Sequence, residues 1–498
     1  MNKDKWLPIL KKVLKILAIS SCGTLLVALG AGILLLNQKP DLSVWHKSHL
    51  DEEFTARSLK GRNPVDTFGD YLALEDRLFQ QLEKKIYDQI EPEEKTVLNR
   101  FHRGSLSDPG RWPTNWNRSF EWEPRSPTAG GPRGSVLLIH GLSDSPYSLR
   151  TLGKRLQEEG YHVLGLRVPG HGTAPSGLAR TKWQDMAAAV ELAVEHLATQ
   201  GEGKPLHVIG YSNGGALAVH YALTSLEKTD LPRIDRIVLV SPEIGITPAA
   251  AFAIWQKRIG WLLGLKKLAW NDVHLEYDPF KYNSFPVNAG DLAHRLTAVN
   301  RGKIRKLSSQ GKLVDFPPVL AFQSEVDATV SATALVTDLF ALLPENEHEL
   351  IAFGLNREAN IETLFQKGHI DQLPALRDDP ERSYTLSVIT NVEETDRAVL
   401  LRSWPPRESE PVSRDLGLSW PDEIYSLSHV ALPFPETDPI YGGPAAKLSP
   451  GIHLGNISMR GEKGVLRVSS QQMLRLRWNP FYSFLENRTL EHLLPNRP

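Results

Sequence analysis

Gly210-Tyr211-Ser212-Asn213-Gly214 directly follows the apolar run Leu206-His207-Val208-Ile209 and precedes an Ala/Leu-rich stretch from Gly215 to Leu226. A strand that ends in Gly-x-Ser-x-Gly and enters a helix forms a nucleophile elbow, with the serine hydroxyl exposed on a strained turn. The flanking glycines let neighbouring backbone pass close by. Serine attacks only after a base takes its proton, so the elbow calls for a histidine, and the histidine for a carboxylate that fixes its tautomer.

On such a scaffold the chain order is serine, acid, histidine, with both partners in loops at the carboxyl ends of strands. Asp327, in Gln323-Ser324-Glu325-Val326-Asp327, follows the apolar stretch Val319 to Gln323 and is read as the acid. Helix capping would also place an Asp there, and Glu243 and Glu325 are the alternative acids. His429, in Ser426-Leu427-Ser428-His429-Val430, is read as the base, with His369 as the alternative. Two backbone N–H groups must receive the oxyanion. Asn213 supplies one, and Leu142, in the loop His140-Gly141-Leu142 after the strand-like Val136 to Ile139, supplies the other. The position of His140 on that loop gives it a structural role in preference to that of a second base.

From Ser135 onward strand-like and helix-like segments alternate, the pattern of an α/β fold with a mostly parallel sheet and helices on both faces. Strands are expected at Ser135–Ile139, His162–Val168, Leu206–Tyr211, Ile234–Ser241, Val319–Gln323 and Glu349–Phe353. Helices are expected at Tyr147–Glu159, Lys182–Ala198 and Thr329–Leu343. Two stretches break the rhythm. One, about 244–315, is rich in Trp, Leu and Phe and reads as short amphipathic helices forming a lid, with core packing as the plainer explanation. The other, about 356–422, reads as an insertion with strands near Tyr384–Ile389 and Ala398–Leu401. Before the α/β region, Phe68 to Ile90 reads as an amphipathic helix packed outside the catalytic domain. Asp108 to Arg133, rich in Pro, Gly and Trp, reads as an ordered loop or linker.

The formal net charge of −1 argues against a general nucleic-acid surface. The single cysteine, Cys22, rules out an intrachain disulfide and a thiolate metal cluster. No metal or cofactor motif is visible, and none is expected to be needed. Ile16 to Leu36 is an uncharged run of about 21 residues, roughly 32 Å as a helix, which matches a bilayer core. Five lysines precede it. The expectation is therefore a cytoplasmic basic segment (1–15), a transmembrane anchor (16–36), an extension packing on the core (37–134), and a catalytic domain (135–498) on the far side, periplasmic if the source is prokaryotic. A cleaved signal peptide and a lipoprotein box at Ile19-Ser20-Ser21-Cys22 are the weaker alternatives.

The pieces His140-Gly141-Leu142, Arg167-Val168-Pro169-Gly170-His171-Gly172, Gly210-Tyr211-Ser212-Asn213-Gly214-Gly215, and Asp327 with Val330 resemble the α/β-hydrolase superfamily. Within it the likeness is to the monoacylglycerol lipase, lysophospholipase and serine-aminopeptidase-like branch. It covers about 134–343. In that family the histidine follows the acid by a few tens of residues, whereas His429 lies about a hundred away, and Asn213 stands where Met, Leu or Gln is frequent. The resemblance implies an α/β-hydrolase fold and a Ser212–Asp327–His429 triad. The expected function is a membrane-anchored serine hydrolase that cleaves small-molecule or lipid-like esters. A proline-type aminopeptidase or amidase on the same triad is one alternative, and a catalytically inactive binding protein of the same fold is another.

Overall fold

The computed structural model describes residues 40–60, 64–125, 131–201, 203–245, 266–327, 329–359, 377, 379–422, 424–446, 449–455 and 476–494. At its centre is a ten-stranded sheet in the order β1-β3-β2-β4-β5-β8-β9-β10-β11-β12. The strands are β1 (Phe120–Trp122), β2 (Ser135–Ile139), β3 (His162–Leu166), β4 (Leu206–Tyr211), β5 (Arg236–Val240), β8 (Val319–Ser324), β9 (Glu349–Phe353), β10 (Thr385–Asn391), β11 (Ala398–Trp404) and β12 (Val412–Ser419). A separate two-stranded pair joins β6 (Trp270–Asp272) and β7 (Phe285–Pro286). Strands β3, β2, β4, β5, β8, β9 and β10 run parallel. Antiparallel β1 closes one edge, and the antiparallel β11 and β12 extend the other.

The central strands are continuous apolar runs because both faces of the sheet are covered. Alternate residues divide between two cores. Leu137, Leu164, Val208, Ile237, Val319 and Leu350 face one core, and Leu138, Val163, Ile209, Val238, Leu320 and Ile351 face the other. Nine helices matter among the described residues: α1 (Val44–Lys47), α2 (Phe68–Lys85), α3 (Arg150–Glu158), α4 (Pro175–Leu178), α5 (Trp183–Gly201), α6 (Asn213–Glu227), α7 (Val287–Ser309), α8 (Ala332–Asp338) and α9 (Tyr482–Leu493). Helices α5, α6 and α7 contribute Met186, Leu217 and Leu292 to the first core. Helices α3 and α9 contribute Leu156 and Leu485 to the second.

Helix α2 starts at a reciprocal cap, with the Asp70 N–H donating to Thr67 Oγ1 and the Thr67 N–H to Asp70 Oδ2. Its buried residues Phe68, Tyr71, Leu74, Leu78 and Leu82 recur at helical spacing. The region before β2 also supplies strand β1, so the Trp-rich stretch read as a loop or linker is partly an edge of the sheet.

Several expectations need correction. The mostly parallel sheet is mixed at its edges, where β1, β11 and β12 run against their neighbours. Of the stretch 244–315 read as short helices forming a lid, residues 246–265 lie outside the described residues, and 287–309 form the single helix α7. That helix packs beside α6, where Asn300 Nδ2 donates to Ala216 O at 2.8 Å. The stretch 356–422 continues the sheet through β10, β11 and β12, while residues 360–376, with His369, lie outside the described residues.

The transmembrane helix at Ile16–Leu36 also lies outside the described residues, and among the described residues no helix is long and apolar enough to cross a membrane. The fold class of the described residues is an α/β-hydrolase-like fold with a mixed sheet and flanking helices, and no membrane-spanning helix is among them. The expected membrane-anchored function, membrane partner and far-side localisation are withdrawn, since no helix among the described residues supports them. An uncharged apolar run preceded by basic residues is necessary for such a span but not sufficient.

Candidate active site

Ser212 stands at the carboxyl end of β4, immediately before α6. Its backbone has φ +53° and ψ −117°, a conformation that costs a non-glycine residue about 1–3 kcal/mol. Surrounding hydrogen bonds hold it there. The Ser212 N–H donates to Val240 O at 2.9 Å, and Ser212 O accepts from Gly215 N–H at 2.9 Å and Glu243 N–H at 3.0 Å. The elbow glycines answer to close packing. A Cβ on Gly210 would lie 2.5 Å from Gly214 O, and one on Gly214 would lie 2.0 Å from Ile139 O. Both neighbours are backbone and cannot yield.

His429 lies in a one-turn helix, His429–Ala431, reached only after the chain has completed the far edge of the sheet. Its Nε2 is 3.1 Å from Ser212 Oγ and its Nδ1 is 2.8 Å from Asp327 Oδ2. Asp327 follows β8. Its Oδ2 also accepts from Gln323 Nε2 at 2.9 Å, and its Oδ1 accepts from the N–H groups of Thr329 (2.8 Å) and Val330 (3.0 Å). Burial opposes ionisation of this carboxyl, but the charge and hydrogen bond of His429 and the two backbone donors outweigh it, and its pKa falls below the ordinary value. An ionised Asp327 accepts the proton of Nδ1, which leaves the lone pair of Nε2 facing the Ser212 hydroxyl.

Asn213 is the first residue of α6. Its N–H is among the first-turn donors that lack an intrahelical acceptor, at the positive end of the helix dipole. Leu142 follows β2, between Gly141 and Ser143, whose φ is +61°. A Cβ on Gly141 would come within 3.1 Å of Ser212 Cβ and the Tyr211 ring. Glycine is what lets this loop lie against the elbow.

The other candidates are occupied differently. Val168 N–H donates to His140 Nε2 at 3.1 Å, and His140 Nδ1 lies 2.8 Å from Gly141 O. Burial drives its pKa well down, so His140 is a neutral clamp under the loop. Glu243 Oε2 accepts from Asn213 Nδ2 at 2.8 Å, and burial pushes its carboxyl up to about 7. Burial also pushes Glu325 up to about 7, and its N–H donates to Phe353 O.

Reading the sequence missed three features here. Gln323 orients Asp327, Glu243 holds the Asn213 side chain, and the Tyr211 ring lies 5.5 Å from that of His429. Glu243 had been weighed only as an acid, and nothing in the local sequence marks Gln323.

A cavity of about 640 Å³ among Arg236, Glu349, Thr385 and Arg488 contains none of the three central residues. It sits at the amino ends of β5, β9 and β10, away from the strand ends that carry Ser212 and Asp327. Among the described residues no group of His, Cys, Asp and Glu has a geometry that could hold a metal ion.

A serine on a strained strand-to-helix turn, with a histidine and a carboxylate from later strand ends, on a largely parallel sheet, defines a class. The fold is α/β-hydrolase-like, and part of the chain is similar in sequence to the monoacylglycerol lipase and esterase branch of that superfamily. The family model described as serine aminopeptidase, S33, matches residues 130–298. A thermostable monoacylglycerol lipase of Bacillus sp. (strain H-257) is 37% identical over 121 residues, 24% of this chain and 45% of that protein. A carboxylesterase of Bacillus subtilis (strain 168) is 29% identical over 121 residues, 24% of this chain and 49% of that protein. The chain thus spans about half the length of the curated relatives it matches. Among solved structures, the Paleococcus ferrophilus monoacylglycerol lipase overlaps 48% of this chain and 89% of its own, at 20% identity and a TM-score of 0.35. A TM-score that low carries no functional argument.

Proposed function

We propose that this protein is a serine hydrolase that cleaves carboxylic esters through an acyl-enzyme on Ser212. His429 takes the hydroxyl proton as Ser212 Oγ attacks the ester carbonyl, and Asp327 steadies the imidazolium that forms. The N–H groups of Leu142 and Asn213 receive the oxyanion. His429 then protonates the departing alcohol and activates water to release the acid. The observation that carries this reading is the unbroken contact from Asp327 Oδ2 through the His429 ring to Ser212 Oγ, at 2.8 and 3.1 Å.

The same contact weighs against an inactive binding protein. Amide cleavage at a free amino terminus is the other reading, since the matching family model is described as serine aminopeptidase. It requires an acidic group beside Ser212 to hold the substrate ammonium. Glu243, whose N–H donates to Ser212 O, is one such group, but burial raises its carboxyl to about 7, which disfavours the charge an ammonium needs, and Oε2 already accepts from Asn213. Ester cleavage needs no such anchor. The test is hydrolysis of short p-nitrophenyl esters beside aminoacyl p-nitroanilides. Esters should turn over in the wild type and not in Ser212→Ala. Activity retained by Ser212→Ala would reject the mechanism, and a preference for the anilides would reject the substrate class.

A further inference from the structure

The loop Arg167–Gly172 connects the proposed oxyanion loop to the region before β2. Val168 N–H donates to His140 Nε2, and His140 is the residue from which the loop carrying Leu142 departs. Arg167, one residue earlier, is buried and is held almost entirely by side chains from residues 53–119. Its Nε donates to Glu75 Oε2 at 2.9 Å, and its Nη2 donates to Glu53 Oε1 at 3.1 Å. Its backbone N–H donates to Ser119 Oγ at 2.9 Å, and its carbonyl accepts from Tyr71 Oη at 2.6 Å. Glu75 in turn accepts from both the N–H and the hydroxyl of Ser119, each at 3.0 Å. From the guanidinium, Nη1 donates inward to His171 O at 3.1 Å. The same region presses on the loop a second time, since a Cβ on Gly172 would lie 2.2 Å from Asn117 O.

A buried guanidinium needs paired acceptors, and a bidentate set fixes its plane as well as its charge. A single peptide bond joins that fixed point to Val168, whose N–H donates to His140. We infer that the region before β2 positions the oxyanion loop: Glu53, Glu75 and Tyr71 lock Arg167, Arg167 sets Val168, and Val168 sets His140 and hence the Leu142 N–H. These are positioning residues, since each acts on the oxyanion through the loop that carries Leu142. The inference rests on the esterase reading proposed above.

Two substitutions preserve shape while loosening the lock. Tyr71→Phe removes one hydrogen bond, and Glu75→Gln removes one of two charges. The full chain is assayed with a p-nitrophenyl ester, and each rate is divided by the concentration of serine titrated to completion with a fluorophosphonate. Losing one oxyanion donor outright costs about 10²–10³ in kcat, and a displacement of about 1 Å costs about 10². We expect kcat per titrated serine to fall about tenfold or more in Glu75→Gln and about threefold in Tyr71→Phe, with KM within about twofold of wild type. Affinity for a boronic-acid mimic of the tetrahedral state should fall in step with kcat. A purely structural role would reduce the number of titratable sites and leave kcat per site unchanged, and that result would overturn the inference. Should Glu75→Gln fail to fold, Tyr71→Phe decides alone. If the wild type neither hydrolyses esters nor labels at Ser212, the esterase reading fails instead, which is a separate outcome.

Discussion

Replacing Asp327 with Asn is the sharpest perturbation of the proposed relay, because the surrounding donors dictate how the amide must sit. Oδ1 accepts from two backbone N–H groups, at 2.8 and 3.0 Å, so the amide oxygen must take that place. The amide NH2 then faces His429 Nδ1 and Gln323 Nε2, where Oδ2 had accepted at 2.8 and 2.9 Å. Donor meets donor at both contacts. The flipped amide is no better, since it sets NH2 against two backbone donors. The way out for His429 is to move its proton to Nε2, so that Nδ1 accepts from the amide. The ring then presents a proton to Ser212 Oγ where it must present a lone pair. The same tautomer inversion in serine proteases costs about 10⁴ in kcat, equivalent to about 5.4 kcal/mol of barrier. The assay is steady-state hydrolysis of p-nitrophenyl butyrate near neutral pH, with titrated serine as denominator and thermal melting to confirm folding. A folded Asp327→Asn protein within about tenfold of wild type would refute the role given to Asp327.

Three further outcomes follow from the same geometry. Gly141→Ala puts a methyl 3.1 Å from Ser212 Cβ and the Tyr211 ring; the loop must shift, and kcat should fall about 10–100-fold, whereas an unchanged kcat would dissociate the loop from catalysis. Glu243 has its pKa raised from the ordinary 4.5 to about 7, so the folded state holds a proton that the unfolded chain releases. Its contribution to stability therefore declines as pH rises from about 4.5 to about 7, and Glu243→Gln should gain in melting temperature relative to wild type at pH 8 but not at pH 5; a pH-independent difference would contradict this. Removing residues from Tyr482 onward deletes Phe484, Leu485, Leu490 and Leu493 from the second core. At about 1.5–3 kcal/mol each that loss rivals the whole stability of a domain, so the truncated chain should be insoluble or molten by near-UV circular dichroism, and a cooperative melt like that of the full chain would show the helix to be dispensable.

The elbow could be read from sequence because its constraints are local. Gly210, Gly214 and Ser212 answer to backbone a few residues away, and the β2, β4 and β9 segments show as apolar runs because both faces of the sheet are covered. Asp327 could be placed because it follows such a run. The position of His429 looked anomalous because β10, β11 and β12 intervene between it and the acid, and the far edge of a sheet has no local signature that distinguishes continuation from insertion. Strand β1 was hidden by its length of three residues within a Pro-rich stretch. The Trp- and Leu-rich residues behind the lid reading lie mostly outside the described residues, whereas helix α7 is stabilised by packing on α6, which no window of sequence contains. The Glu53–Arg167–Glu75 lock joins residues 92 and 114 positions apart, and nothing short of the fold brings them together. The membrane anchor rested on an apolar run and its flanking lysines, which lie outside the described residues, and among those described no helix is long and apolar enough to span a membrane.

The central claim is that Ser212 Oγ is an activated nucleophile. The most direct measurement is the intact mass of the purified full-length chain after reaction with a fluorophosphonate, followed by peptide mapping. One adduct per chain on Ser212, absent from Ser212→Ala and much slower to form in His429→Ala, is the predicted result. A folded wild type that remains unlabelled, or that is labelled at another residue, would contradict it.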